Sequence, residues 1–133
     1  MTATHRLPGD CVESDASYYW LDNDGILTII NKPVAVHTGT HAEEGVTIAM
    51  QISAGVPRPL LIDITDVKSM TREAREIYSK VSTEGRVKAV GLVTRSAMSR
   101  ILGNFFMSFN RPSVPIRLFK DQEQARKWLL VYV

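Results

Sequence analysis

Between residues 60 and 129, short apolar runs alternate with amphipathic stripes, and this alternation limits the folds open to the chain more than any other feature. One run is Leu60, Leu61, Ile62, Asp63 and Ile64; a second is Val87, Ala89, Val90, Gly91, Leu92 and Val93. A third, Val114, Ile116, Leu118 and Phe119, carries Pro115, which marks a strand start or a sheet edge. Between them, Ala74, Ile77, Tyr78 and Val81 recur at helical spacing, as do Met98, Ile101, Leu102, Phe105 and Phe109. Ser96 is placed to cap the second of these helices. After the third run, Asp121 can cap a last helix whose face is Ala125, Trp128, Leu129 and Tyr132. Strands apolar on both faces need helices on both sides of a parallel sheet.

The first half adds a hairpin. Tyr18, Tyr19, Trp20 and Leu21 lead into Asp22-Asn23-Asp24-Gly25, and Ile26 to Ile30 follow. Asp-Gly between β-prone runs favours a tight turn, because glycine tolerates positive φ. Thr40 with Glu43 three residues later reads as a capping box, opening a helix with Val46, Ala49, Met50 and Ser53 on one face. Gly55 and Pro57 stop that helix, and Gly45 weakens it. The expected order is β-β-α-β-α-β-α-β-α. It makes a single mixed, mostly parallel sheet with an N-terminal antiparallel hairpin and covering helices. Residues 1–14 read as a flexible arm and residues 15–133 as one domain.

Composition narrows the role. The 133 residues suit one domain with a real core, since roughly two-thirds of the unfolded surface is buried at this size. The single cysteine, Cys11, excludes an internal disulfide framework. No apolar run is long enough to span a membrane, and the start has no signal-peptide core, so a cytoplasmic protein is expected. Three Lys/Arg face nine Asp/Glu in residues 1–66, against thirteen and five in residues 67–133. The basic residues of the second half alternate with apolar ones at helical spacing, which suits solvated helix faces better than a nucleic-acid site.

Two loops at strand ends carry the candidate site. Asp66, Lys68, Ser69, Thr71, Arg72 and Arg75 follow the first run; Thr94, Arg95, Ser96 and Arg100 follow the second. In parallel α/β sheets both loops reach the same rim, where ligands gather. Free N–H groups at helix starts attract anions, so this rim is expected to bind a partner protein or an anion. Ser69 and Thr71 read first as helix caps and second as phosphorylation sites. Asp63 and Asp66 lack the further acidic pair of a phospho-acceptor site, so Asp63 reads as a loop-ordering acceptor. His37 and His41 are four residues apart, but Thr38-Gly39-Thr40 interrupts a helix between them and no third ligand is evident. No metal and no cofactor are expected. Phe106 and Met107 exceed what a core stripe needs, so Phe105, Phe106 and Met107 are candidates for an apolar groove. The Tyr18-Tyr19-Trp20 edge can pair with a second copy, giving a homodimer.

The stretch from Leu60 to Trp128 resembles the STAS/SpoIIAA-like domain family. LLIDITDVKSMTREAR is similar to the strand–loop–helix segment that holds the regulatory serine of STAS anti-sigma factor antagonists. MSRILGNFFMSFNRPSVPIRLFKDQEQARKWL resembles an uncharacterised bacterial branch of that family. One departure matters: where the family has Asp-Ser-Ser-Gly, this chain has Thr71, Arg72, Glu73 and Ala74. The resemblance therefore implies the fold and a partner-facing loop and helix, but not the phospho-switch. A non-enzymatic regulatory or partner-binding module is the expectation. The alternatives are a small-molecule or lipid-binding domain and an enzyme whose site no motif discloses.

Overall fold

The computed structural model describes residues 8–97, 100–101, 104 and 114–133. Six strands form one sheet in sequential order: β1 (Val12–Glu13), β2 (Ser17–Leu21), β3 (Leu27–Asn31), β4 (Arg58–Asp63), β5 (Val87–Val93) and β6 (Ile116–Phe119). The first two pairings are antiparallel and the remaining three parallel, as the hairpin and the alternating runs require. The helices are α1 (Gly39–Ser53), α2 (Arg72–Thr83) and α3 (Gln122–Leu129), the last continued by a 3₁₀ turn, Leu130–Tyr132. Ala97, Arg100, Ile101 and Asn104 are also helical. Among the described residues no helix is long and apolar enough to cross a membrane.

Sequential strand order has a consequence for layering. Right-handed crossovers in one direction across a sheet put their helices on the same face. Thus α1 and α2 share one face, with Ala42, Ala74, Ile64, Val90 and Leu92 in a common cluster. Helix α3 follows the last strand and folds back on the other face, where Ala125 and Leu129 pack on Leu61, Ala89 and Val93. Gly91 of β5 allows this close approach, because a Cβ there would lie 3.2 Å from Leu129 Cδ1 and 3.4 Å from Ala125 Cβ. The tilted rings of Phe119, Trp128 and Tyr132 seal the edge of this layer.

Local chemistry sets the element ends. In the hairpin, the Asp22 carboxylate accepts from the N–H groups of Asp24 (2.8 Å) and Ile26 (3.0 Å), and Gly25 takes a φ of 86°. Arg126 of α3 bonds to Asp22 and Asp24, fastening the hairpin tip to the last helix. Helix α1 starts earlier than the sequence pattern suggests. Its cap is Thr38, not Thr40, and His41 closes the box: Thr38 N–H donates to His41 Nδ1 (3.1 Å), and His41 N–H donates to Thr38 Oγ1 (3.3 Å). Thr71 caps α2 and Asp121 caps α3, as their positions imply. Strand β5 holds one surprise. Arg58 faces Val87 but Pro59 faces Ala89, so Lys88 is an extra residue in a bulge. The bulge turns Val87 to the same face as Val90 and Leu92.

Two sequence expectations meet different surroundings. Val12–Glu13, within the stretch read as an arm, pairs with Tyr18 and Tyr19 and covers that part of the hairpin edge. The edge open to a second copy therefore begins at β1. Ile101, placed by its spacing on a core stripe, is 68% exposed. The other members of that stripe, Met98, Leu102, Phe105 and Phe109, lie outside the described residues, as do Phe106 and Met107 of the suggested groove.

Candidate functional site

The two sheet faces are not equally well covered. Along β4, Pro59, Leu61 and Asp63 are buried while Leu60 and Ile62, which face α1 and α2, are only half-buried. A central strand of a sheet covered on both faces is ordinarily buried throughout. The half-burial has a cause: a cavity of about 150 Å³ lies between this face and the two helices. Its floor includes Ile29, Leu60, Ile62, Leu92 and Ile116, and its roof includes Val46, Ala49 and Met50 of α1 and Tyr78 and Val81 of α2.

Strand alternation brings a few polar groups to the same space. Ser17 and Asn31 are register partners pointing to this face, and Ser17 Oγ donates to Asn31 Oδ1 at 2.7 Å. Asn31 Nδ2 in turn donates to the Asp63 carbonyl at 3.1 Å. The most distinctive group is His37, in the loop between β3 and α1. The loop is stitched to the β4–α2 loop: His37 N–H donates to the Ser69 carbonyl and Thr71 N–H to the His37 carbonyl, both at 2.9 Å. The imidazole is 2% exposed and shares a 2.6 Å hydrogen bond between Nε2 and the Tyr78 hydroxyl. Its Nδ1 is buried and has no hydrogen-bond partner among the described residues. Burial, reinforced by His41 beside it, lowers the His37 pKa from 6.5 to about 4, so the ring is neutral at pH 7. Burial, with Tyr19 nearby, raises the Tyr78 pKa well above its ordinary value. The Tyr19 hydroxyl fits under α1 because residue 45 is glycine: a Cβ there would come within 2.9 Å of it.

The residues singled out from sequence lie at the carboxyl ends of β4 and β5. The two loops touch, since Arg95 N–H donates to Thr65 Oγ1 at 3.2 Å. Beneath them Asp63 is buried; its carboxylate accepts from Thr65 N–H (2.9 Å) and Gln122 Nε2 (3.2 Å) and lies 3.8 Å from the Arg95 guanidinium. Asp63 orders the loop, as its position suggested. Ser69 Oγ donates to the Ala35 carbonyl at 3.1 Å and Thr71 Oγ1 caps α2, so both hydroxyls hold structure. Arg75 donates to the Met70 carbonyl at 2.7 Å, and Arg72 pairs with Glu76 at 3.4 Å. Asp66 is half-buried, and Lys68 and Arg100 are exposed. Thr94 is buried; its Oγ1 accepts from Ser96 N–H at 3.2 Å, and the Ser96 carbonyl accepts from Arg100 N–H at 3.0 Å. His37 and His41 do not converge on a shared point. His41 Nδ1 accepts from Thr38 and His37 Nε2 faces Tyr78. Among the described residues no group of three or more His, Cys, Asp or Glu side chains is arranged to hold a metal.

Sequence reasoning missed the cavity and the His37–Tyr78 pair. The signals were there in part. Ser17 and Asn31 occupy core-facing positions of strands, and Gly45 interrupts a helix face that should have carried a larger side chain.

Comparison with solved structures agrees with this architecture. The chain is similar to an uncharacterised protein of the DUF3478 family from Shewanella loihica PV-4, whose crystal structure is described as SpoIIAA-like. The two are 19% identical, with a TM-score of 0.59 and 90% of each chain covered. At that identity the likeness speaks for the fold alone, and the fold is SpoIIAA-like, as the Leu60–Trp128 resemblance implied. A protein of unknown function from Arthrobacter sp. FB24 is 25% identical over 90% of this chain and 97% of its own, with a TM-score of 0.35. Among curated proteins, none matches this sequence. Residues 19–133 match the family described as Domain of unknown function (DUF7793), and the chain belongs to that family.

Proposed function

We propose that this domain is a binding module that holds a small apolar molecule between its sheet and the α1–α2 layer. The observation that carries the reading is the cavity of about 150 Å³ over the half-buried centre of the sheet. Protein interiors are close-packed, and voids of this size are uncommon. A closed, empty void of this volume would forfeit contacts worth about 4 kcal/mol, at about 24 cal/mol per Å³. Apolar cavities of roughly this volume stay dry and take up benzene-sized guests. The volume is below the ~300 Å³ of drug-sized sites, so the guest is small. The test is toluene. Saturating toluene should raise the unfolding midpoint of the protein, and Ala49→Leu, which adds three carbons to the cavity roof, should remove most of that rise. A midpoint that toluene leaves unmoved overturns the proposal.

A second reading concerns the rim. Lys68 and Arg100 are exposed, and the Arg95 side chain is 47% exposed above Asp63. These cations support a partner-protein or anion contact at the carboxyl ends of β4 and β5, consistent with where α/β sheets place ligands. Arg95→Ala with Arg100→Ala should then weaken capture of an acidic partner from the native cell. An unchanged capture profile removes the rim from the account.

A further inference from the structure

The cavity has two ends of different character. Strands β3 and β4 run in the same direction, and His37 and Met70 lie beyond their carboxyl ends. At that end Asn31, His37, Ile64 and Met70 of the lining are all buried. The polar atoms there turn to the protein: Asn31 bonds to Ser17 and the Asp63 carbonyl, and His37 Nε2 to Tyr78. At the other end, where β5 begins, the lining includes half-buried Val81 of α2 and exposed Arg86, so the cavity opens there. Among the described lining residues, Arg86 alone carries a charge at pH 7, since His37 is neutral. Its side chain is 52% exposed, and it pairs with Glu84 through Nε, 3.7 Å from Oε1. That separation is too long for a hydrogen bond, and the pair does not engage the two Nη groups, which can fork onto a carboxylate.

From this we infer that the guest is a small monocarboxylate, its apolar body of roughly five to seven carbons over Leu60 and Ile62 and its carboxylate at the mouth, on the Arg86 guanidinium. The inference rests on the cavity reading above and adds the identity of the polar end. Three features select the class. The size of the body follows from the cavity volume. The sign of the head follows from Arg86, and its planar shape from the guanidinium fork, which meets two carboxylate oxygens side by side. The placing of the head at the mouth follows from solvation: there it stays in contact with water, whereas deeper in the apolar space a charge would be strongly unfavourable. Glu84 and the carbonyl end of α2 oppose an anion at this position. For exposed groups each effect amounts to a factor of about two. A charge-assisted hydrogen bond is worth about tenfold at the low end of its range, so the attraction of Arg86 prevails.

Hexanoate and hexanamide are the probes, because they have the same size and differ in the charge of the head. Titration of each at pH 7, followed through the methyl resonances of Leu60 and Ile62, reads binding at the cavity itself. Hexanoate should bind more tightly than hexanamide. Arg86→Gln should weaken hexanoate about tenfold and leave hexanamide unchanged. Glu84→Gln, which removes the competing carboxylate, should strengthen hexanoate about twofold. Arg86 is exposed, so its replacement should leave the fold intact, and a toluene-induced rise in unfolding midpoint equal to that of wild type checks this in the same variant. If toluene binds but hexanoate binds no better than hexanamide, or Arg86→Gln weakens both alike or neither, the carboxylate inference is wrong while the cavity reading stands. If toluene leaves the midpoint unmoved and neither probe shifts the Leu60 and Ile62 methyls, the cavity reading fails and takes the inference with it.

Discussion

Acid should weaken this fold through His37 in a window set by burial. The ring titrates at about 4 in the folded protein and at 6.5 in the unfolded chain. Between those values the unfolded chain binds the extra proton, so stability rises with pH across the window. The contribution is fully present above pH 6.5 and is lost as the pH falls toward 4. At about 1.4 kcal/mol per pH unit, the loss reaches about 2 kcal/mol by pH 5 and about 3 kcal/mol by pH 4. The comparison that isolates it is wild type against His37→Gln, which cannot titrate but keeps polar atoms near Tyr78. Urea unfolding at pH 7.5 should show wild type as the more stable, by roughly the 0.5–1.5 kcal/mol of one hydrogen bond. At pH 4.5 the order should reverse, because only wild type must then accommodate or neutralise a buried cation. Other carboxylates and histidines titrate in both proteins and cancel in the difference. A stability gap that stays constant from pH 7.5 to 4.5 would refute the claim that packing holds His37 neutral.

Four other outcomes follow from the packing. Thr38→Ala should destabilise the fold by about 1 kcal/mol while Thr40→Ala is near neutral, as judged by chemical denaturation, since Thr38 is the residue that caps α1. Gly45→Ala should destabilise by about 1–3 kcal/mol despite alanine's better helix propensity, because the added methyl meets the Tyr19 hydroxyl; unaltered stability would mean that α1 stands further from the sheet. Leu129→Ala, at a site with no exposure, should destabilise by about 2–5 kcal/mol in the same assay. Ser69→Ala should lose only the bond to the Ala35 carbonyl, about 1 kcal/mol, and a much larger loss would give Ser69 a further role.

Much of this fold is written in local patterns. The Asp22–Gly25 turn is legible because its chemistry lies within four residues, and the α2 and α3 stripes because each helix buries one face. The sequence pattern places the cap of α1 at Thr40 rather than Thr38 for a definable reason. Both Thr38-Gly39-Thr40-His41 and Thr40-His41-Ala42-Glu43 offer a hydroxyl followed three residues later by a reciprocating side chain. The glutamate pattern is the commoner one, yet the isolated bridge between His37 and Met70, with backbone bonds to Ser69 and Thr71, fixes the earlier start. The bulge at Lys88 leaves no trace in composition, because Val87 and Ala89 suit either face. The cavity is invisible for a deeper reason. Alternation says which face a residue takes but not how far away the opposing layer stands. His37 and Tyr78 meet across forty-one positions of sequence, through a loop-to-loop pairing that no local window contains.

The central claim is that the α1–α2 face of the sheet borders accessible apolar space lined by Ile29, Leu60, Ile62 and Leu92. Methyl NMR under dissolved xenon reads this directly. Xenon should shift the methyl resonances of Ile29, Leu60, Ile62 and Leu92, leaving those of Leu61, Val93 and Leu129 in place. Shifts confined to the second group, or absent from both, would contradict the account.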